Sequence, residues 1–270
     1  MQNEHPRLGS QTTTDVMDPA RGAALQVALG LAPSISAGSA LPPFFHQIHF
    51  WEPMPPEQLG RDGHPATGLG LIPDMGLPRR MWAGGRLTFD APLVAGTPAQ
   101  KVTTIDSTTR KEGRTGPLGF VTLRHEITQN GATCVTEWQD LVYREDPAPD
   151  AVAPSPPEAR LDEDMCRRVH FNSTLLFRYS ALTFNGHRIH YDLDYARDVE
   201  GYGGLVTHGP LLAQHLMLLA TERLGRLRQF SFRATAPLMH HEAAELCWCD
   251  DGTMWVRGPD GRQCMQAQAS

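Results

Sequence analysis

The chain has 270 residues and a mass of 29.8 kDa, room for one large domain or two of ordinary size. Hydrophobic residues at 40% and charged residues at 20% exclude a chain disordered over most of its length. A net charge of -6 and a pI near 6.0 supply no basic surplus for a phosphate backbone, so nucleic acid is not expected as a partner.

The first residues, MQNEHPRLGSQTTTD, lack a basic start followed by an apolar run, and no window of the chain approaches the roughly eighteen apolar residues of a spanning helix. A cytoplasmic protein with no membrane partner is expected. Residues 41–81, LPPFFHQIHFWEPMPPEQLGRDGHPATGLGLIPDMGLPRRM, are rich in proline, glycine and aromatics and predict a long irregular segment. Six aromatic or histidine side chains between Phe44 and Trp51 give it enough to bury, so it is expected to fold as a lid or pocket wall. A strand pattern with Gly84-Gly85 follows, and residues 120–145 then alternate polar and apolar around Asn130-Gly131, the dipeptide suited to a tight type I′ hairpin.

Five prolines in DPAPDAVAPSPPEAR, 146–160, predict an extended linker, dividing the chain into units 1–145 and 161–270. In the second unit GYGGLVTHGPL, 201–211, leads into a run whose apolar residues fill almost every face. A deeply buried helix is predicted over 210–224, with Pro210 in its first turn. Residues 245–269 again read as hairpins, turning at Asp251-Gly252 and Asp260-Gly261. A Gly-Gly pair before antiparallel sheet in each half suggests a duplicated α+β unit. The five cysteines, 134, 166, 247, 249 and 264, show no CxxC spacing, and Cys247 and Cys249 are expected on one strand face as small buried hydrophobes.

The densest chemistry lies in TFNGHRIHYD, 183–192. His187 and His190 are three apart, but the Asn185-Gly186 turn precedes them and neither an HExxH pattern nor a cysteine partner follows, so no metal is expected. A purely structural cluster, with Arg188 and Asp192 paired at the surface, stays open. The other reading is acid/base work beside a carbonyl: His190 as base, Asn185 orienting a water, and a backbone N–H at the start of a buried helix meeting enolate charge. THGP, 207–210, suits that last part, because Gly209 lets an oxygen approach and the helix terminus adds positive partial charge.

RYSALTFNGHRIHYDLDYARDVEGYGGLVTHGPL, 178–211, resembles the signature of the hot-dog fold hydratases and dehydratases, the MaoC-like group acting on acyl-CoA thioesters. In that pattern an aspartate stands five residues before a histidine and a His-Gly segment follows. Asn185 and His190 fall on the first two positions and His208-Gly209 on the last, with asparagine in place of the usual aspartate. PPFFHQIHFW, LGRDGHP and LPRRMWAGGRLTF are similar to the double-hot-dog branch that includes mesaconyl-C4-CoA hydratases, itaconyl-CoA hydratases and mitochondrial-type 3-hydroxyacyl-thioester dehydratases, a branch that also carries the asparagine. The resemblance spans residues 15–145 and 165–240.

It implies an α+β double hot-dog, two curled antiparallel sheets each wrapped around a long helix and joined side by side. The C-terminal unit would hold the catalytic loop and the N-terminal unit the pocket wall. The implied activity is hydro-lyase chemistry on a short dicarboxylic acyl-CoA, itaconyl-CoA to citramalyl-CoA in itaconate degradation, with mesaconyl-C4-CoA hydration or hydroxyacyl-thioester dehydration as alternatives. A silent acyl-thioester-binding protein is the reading from another class. Implied catalytic positions are Asn185, His190 and Gly209; implied substrate contacts are Tyr179, His208, Arg79, Arg80, Arg86 and Arg233. No cofactor is expected, CoA being part of the substrate, and a homo-oligomer is compatible with the fold.

Overall fold

Alternation builds the sheet: in β4 (Gly116–Gln129) every second side chain from Gly119 to Gln129 is buried, so one face of the strand is committed to the interior. The computed structural model describes residues 9–113, 116–146 and 155–270. Beside β4 lie β1 (Ser10–Asp15), β2 (Arg79–Phe89), β3 (Ala99–Gly113) and β5 (Ala132–Arg144). The second half contributes β6 (Met165–His170), β7 (Gln229–Ala234), β8 (Ala243–Trp248), β9 (Thr253–Arg257) and β10 (Gln263–Ala269). Together they form one ten-stranded sheet in the order β1-β3-β4-β5-β2-β7-β10-β9-β8-β6, antiparallel throughout.

The halves join where β2 pairs with β7, Gly84 opposite Arg233 and Gly85 opposite Phe232. A Cβ at Gly84 would lie 2.5 Å from the Phe232 carbonyl oxygen, and one at Gly85 2.6 Å from that of Trp138. The glycine pair is therefore what lets a strand fit between two neighbours at the seam.

The expected buried helix is α3 (Gly209–Leu224), with Pro210 in its first turn and Gly225 closing it at φ +72°. Leu211, Leu212, Ala213, Leu216, Met217, Leu219 and Ala220 are buried in the main core. The Asn130-Gly131 hairpin has both residues at positive φ, as a type I′ turn requires, whereas only the glycine is positive at Asp251-Gly252 and Asp260-Gly261. Cys247 and Cys249 are buried against Trp255, while Cys166 is exposed. Of the expected linker, 147–154 lie outside the described residues; its end is tied to the C-terminal half by an Ala159 N–H to Gly261 bond.

One part of the fold differs from expectation: among the described residues the N-terminal half has no long helix. Its α1 (Pro19–Ala28) has ten residues, and 41–78 holds only two short 3-10 turns, Phe45–Ile48 and Pro56–Gln58. Eight prolines in that stretch remove the donors a helix needs. The segment covers the sheet by other means. Met75 and Leu77 pack with Ile105, Val121, Leu123, Leu141 and Tyr143 in a second core, and His46 and Gln47 are hydrogen-bonded to the buried Glu137 carboxylate on β5.

Candidate active site

The loop 183–192 begins where α2 (Ser173–Thr183) ends, Phe184 taking the left-handed conformation at φ 52°. Asn185 donates its N–H to the Ser180 carbonyl, and its Oδ1 accepts from the His187 N–H at 2.9 Å. Because a backbone N–H can only donate, that bond fixes the amide orientation and turns Nδ2 outward as a donor. Arg188 pairs with Asp192 at 2.7 Å and lies over the Tyr195 ring, so these two groups brace the loop.

His190 is buried on a 3-10 turn, with Nδ1 2.7 Å from the Val206 carbonyl oxygen. A carbonyl only accepts, so Nδ1 carries the proton and Nε2 is left with a free lone pair. The ring stacks on His208 with centroids 3.6 Å apart, and His208 is the residue immediately before α3. The helix N-terminus and the His190 ring are thus adjacent. Gly209 is partly exposed, and among the described residues no acceptor meets its N–H. His208 shares a 2.8 Å hydrogen bond with Ser180 Oγ, while its Nδ1 is buried and unpaired. Tyr179 is buried edge-on to His208, its hydroxyl also unpaired among the described residues.

A second segment docks here. Gly63 and Gly186 meet backbone to backbone: a Cβ on Gly186 would sit 2.5 Å from the Gly63 oxygen, and one on Gly63, at φ +84°, would overlap the Gly186 carbonyl. The Arg188 N–H donates to the Asp62 carbonyl at 2.9 Å. This contact brings His64 to His187, ring centroids 4.6 Å apart, and His187 is 5.4 Å from His190. The result is a row of four imidazoles, 64, 187, 190 and 208. Burial first, then the neighbouring His187, pushes His190 down to about 3. Burial, followed by the Arg80 and Arg79 charges, pushes His187 down to about 4. His64 and His208 are also driven down, chiefly by burial.

The arginines divide. Arg79 is buried in an ion pair with Glu200 from the other half. Arg80 faces inward beside Tyr143 and lines a cavity of about 340 Å³ under the 60–72 segment. Arg86 is exposed over Trp138, and Arg233 is exposed on β7 opposite Gly84. These two lie on the outer sheet face and are not brought to the histidine row. Residue reasoning did not single out Ser180, Asp62 or His64. The last two had a visible signal, a carboxylate and a histidine around a glycine in LGRDGHP. Asp62, His64 and His187 also offer ligand atoms within 4.8 Å of one another, a spacing a metal ion could use.

A loop imidazole stacked on the residue that precedes a buried helix, inside a double antiparallel sheet, suits the MaoC-like class of hot-dog hydratases and dehydratases. The family model of hydroxyacyl-thioester dehydratase type 2 matches residues 44–240, and the chain belongs to that family of hydro-lyases. It is 46% identical over 237 residues to a mesaconyl-C(4)-CoA hydratase of Chloroflexus aurantiacus, covering 86% of this chain and 84% of the relative. Solved structures agree on the fold. A MaoC-like dehydratase aligns with a TM-score of 0.73 at 14% identity over 98% of both chains. A Mycobacterium tuberculosis protein described as a double hotdog fold aligns at 0.60 and 14%, over 99% of this chain and 96% of the other. Among the described residues no helix is long and apolar enough to cross a membrane.

Proposed function

We propose that this chain adds water reversibly to a short enoyl-CoA bearing a free carboxylate, of the mesaconyl-C4-CoA type, to give citramalyl-CoA. The observation that carries the reading is the fixed tautomer of His190: Nδ1–H held by Val206, Nε2 open, the ring stacked on His208 just before α3. The relative at 46% identity supports the substrate class. A bound water donates to His190 Nε2 and accepts from Asn185 Nδ2. As its oxygen bonds to the alkene carbon at position three, the proton passes to His190 and charge moves to the thioester oxygen. The Gly209 N–H meets that charge, a stabilisation of about 3 kcal/mol for one well-placed donor. His190 then returns the proton to carbon two, so one imidazole serves both steps and no carboxylate is needed at position 185.

This chemistry favours the mesaconyl isomer over itaconyl-CoA. In mesaconyl-C4-CoA the alkene is conjugated with the thioester, so the developing charge reaches the oxygen at Gly209. In itaconyl-CoA a methylene interrupts that conjugation. No cofactor takes part in these steps, and the N-terminal half, lacking an Asn-x4-His loop, leaves one site per chain.

A rate panel on mesaconyl-C4-CoA, itaconyl-CoA and crotonyl-CoA tests the proposal. The mesaconyl thioester is expected to be fastest, and its rate to fall on the order of 1000-fold in His190→Ala. Preference for crotonyl-CoA would overturn the substrate class, and unchanged turnover in His190→Ala the mechanism.

A further inference from the structure

We infer that Arg80, with the His187 and His64 rings beside it, forms the subsite for the substrate's free carboxylate; this rests on the function proposed above. Three cations line the cavity beneath the 60–72 segment: Arg61, Arg80 and Lys101. Arg61 is paired with Asp146 and Lys101 with Glu52. Arg80 alone of the three meets no carboxylate within ion-pair distance among the described residues. It shares the inner face of the sheet with Tyr143, its cross-strand partner, and a guanidinium held against a rigid aromatic strand is suited to a planar two-oxygen ligand.

Position fits as well as charge. In a mesaconyl-type thioester the carboxylate is bonded to the carbon that receives the hydroxyl, so its binding groups must adjoin the base. His187 is next in the row after His190, and His64 stands beyond it. Neither ring makes a hydrogen bond among the described residues, which leaves their nitrogens for a ligand. Arg79 cannot substitute while it is tied to Glu200, and Arg86 and Arg233 are on the far face.

The same rings with Asp62 have spacing a cation could use. Arg80 decides against that occupant. Its charge bears on both His64 and His187, so it repels a divalent ion where it attracts a carboxylate. Asp62 lines the same cavity and would repel a carboxylate, so the subsite needs the Arg80 charge to outweigh it.

The test compares mesaconyl-C4-CoA with 3-methylcrotonyl-CoA, in which a methyl group replaces the carboxylate, using wild type, Arg80→Gln and Arg80→Lys. The ratio of kcat/KM values is an internal control for partial misfolding, since both substrates meet the same protein sample. In Arg80→Gln that ratio should fall on the order of 100-fold, mostly through KM, with Arg80→Lys recovering part of it. A wild type that prefers mesaconyl-C4-CoA together with an Arg80→Gln ratio within threefold of it would overturn the subsite and leave the proposed function standing. A wild type without the preference would overturn the function itself. Zinc chloride alone, titrated calorimetrically into wild type and His64→Ala, should show no micromolar site. Micromolar binding lost in His64→Ala, with turnover abolished by chelator, would make the cluster a cation site and overturn the inference.

Discussion

Gly63→Ala tests whether the docking of 60–64 onto 185–188 holds the active loop. The new methyl would lie 3.1 Å from the Gly186 carbonyl carbon, closer still to its oxygen, and 3.4 Å from Arg188 Cγ. Since carbon contacts are comfortable at roughly 3.5–4.0 Å, the segments must part by about 1 Å. The Arg188 N–H to Asp62 oxygen bond, 2.9 Å long, then exceeds hydrogen-bond range. Its loss costs about 1 kcal/mol. Holding alanine at φ +84° adds roughly 1–2 kcal/mol. Gly131→Ala is the matched control, with φ +79° but open space around its Cβ, so it carries the backbone cost alone. Gly63→Ala should therefore melt about 2–4 °C below Gly131→Ala. It should also lose kcat/KM on mesaconyl-C4-CoA by on the order of 100-fold, the effect of a 1 Å misplacement in an active loop. Differential scanning fluorimetry and initial rates read both quantities. Equal melting points and equal rates in the two variants would refute the claim that this contact positions the loop.

Removing the base by His190→Ala should lower kcat by on the order of 1000-fold, and Asn185→Ala by about 10- to 100-fold, with far-UV circular dichroism unchanged; steady-state rates check both. Stability should fall with pH. Because folding holds His190 near 3, against about 6.5 in the unfolded chain, the unfolded state binds the extra proton below pH 6.5. That costs about 2 kcal/mol by pH 5 and grows until the folded value is reached. Urea titrations at pH 7 and pH 5 on wild type and His190→Gln measure it, and equal pH effects in the two proteins would count against a buried neutral imidazole. For the same reason the acid limb of kcat/KM due to His190 should lie below pH 5. Glu200→Gln leaves Arg79 buried and unpaired, which should destabilise by about 3 kcal/mol in urea unfolding at pH 7.

The parts of this protein that are legible in the sequence are those written within one short window. Asn130-Gly131 specifies its own turn, Gly209-Pro210 its own helix start, and TFNGHRIHYD announces a loop with a base and an amide. What could not be read depends on register between distant segments. Arg80 and Arg86 are six residues apart, so on an unbroken strand they share a face. The bulge between Trp82 and Gly84 reverses this, leaving Arg80 beside Tyr143 inside and Arg86 beside Trp138 outside. The docking of Gly63 on Gly186 was equally hidden, because a glycine advertises freedom at its own position and not the carbonyl that will fill the space. The irregular course of 41–78 was legible in its eight prolines, whereas the long helix expected in each half was implied by the family resemblance, and among the described residues only the second half has one.

That asymmetry bears on function. A helix in the N-terminal half would present its side chains from one rigid cylinder about 10 Å across, and its backbone donors would be spent on itself. The irregular 41–78 segment instead lays backbone directly against the loop 183–192, with the Asp62 carbonyl accepting from Arg188 and Gly63 flush with Gly186. It can do so because His46 and Gln47 moor one end to Glu137 while Met75 and Leu77 bury the other in the second core. Held at both ends, the stretch between can deliver His64 to His187 and roof the cavity that Arg80 lines. The double sheet thus has an uneven pair of halves, one carrying the helix terminus and the proposed base, the other a fitted wall with the proposed carboxylate-binding Arg80.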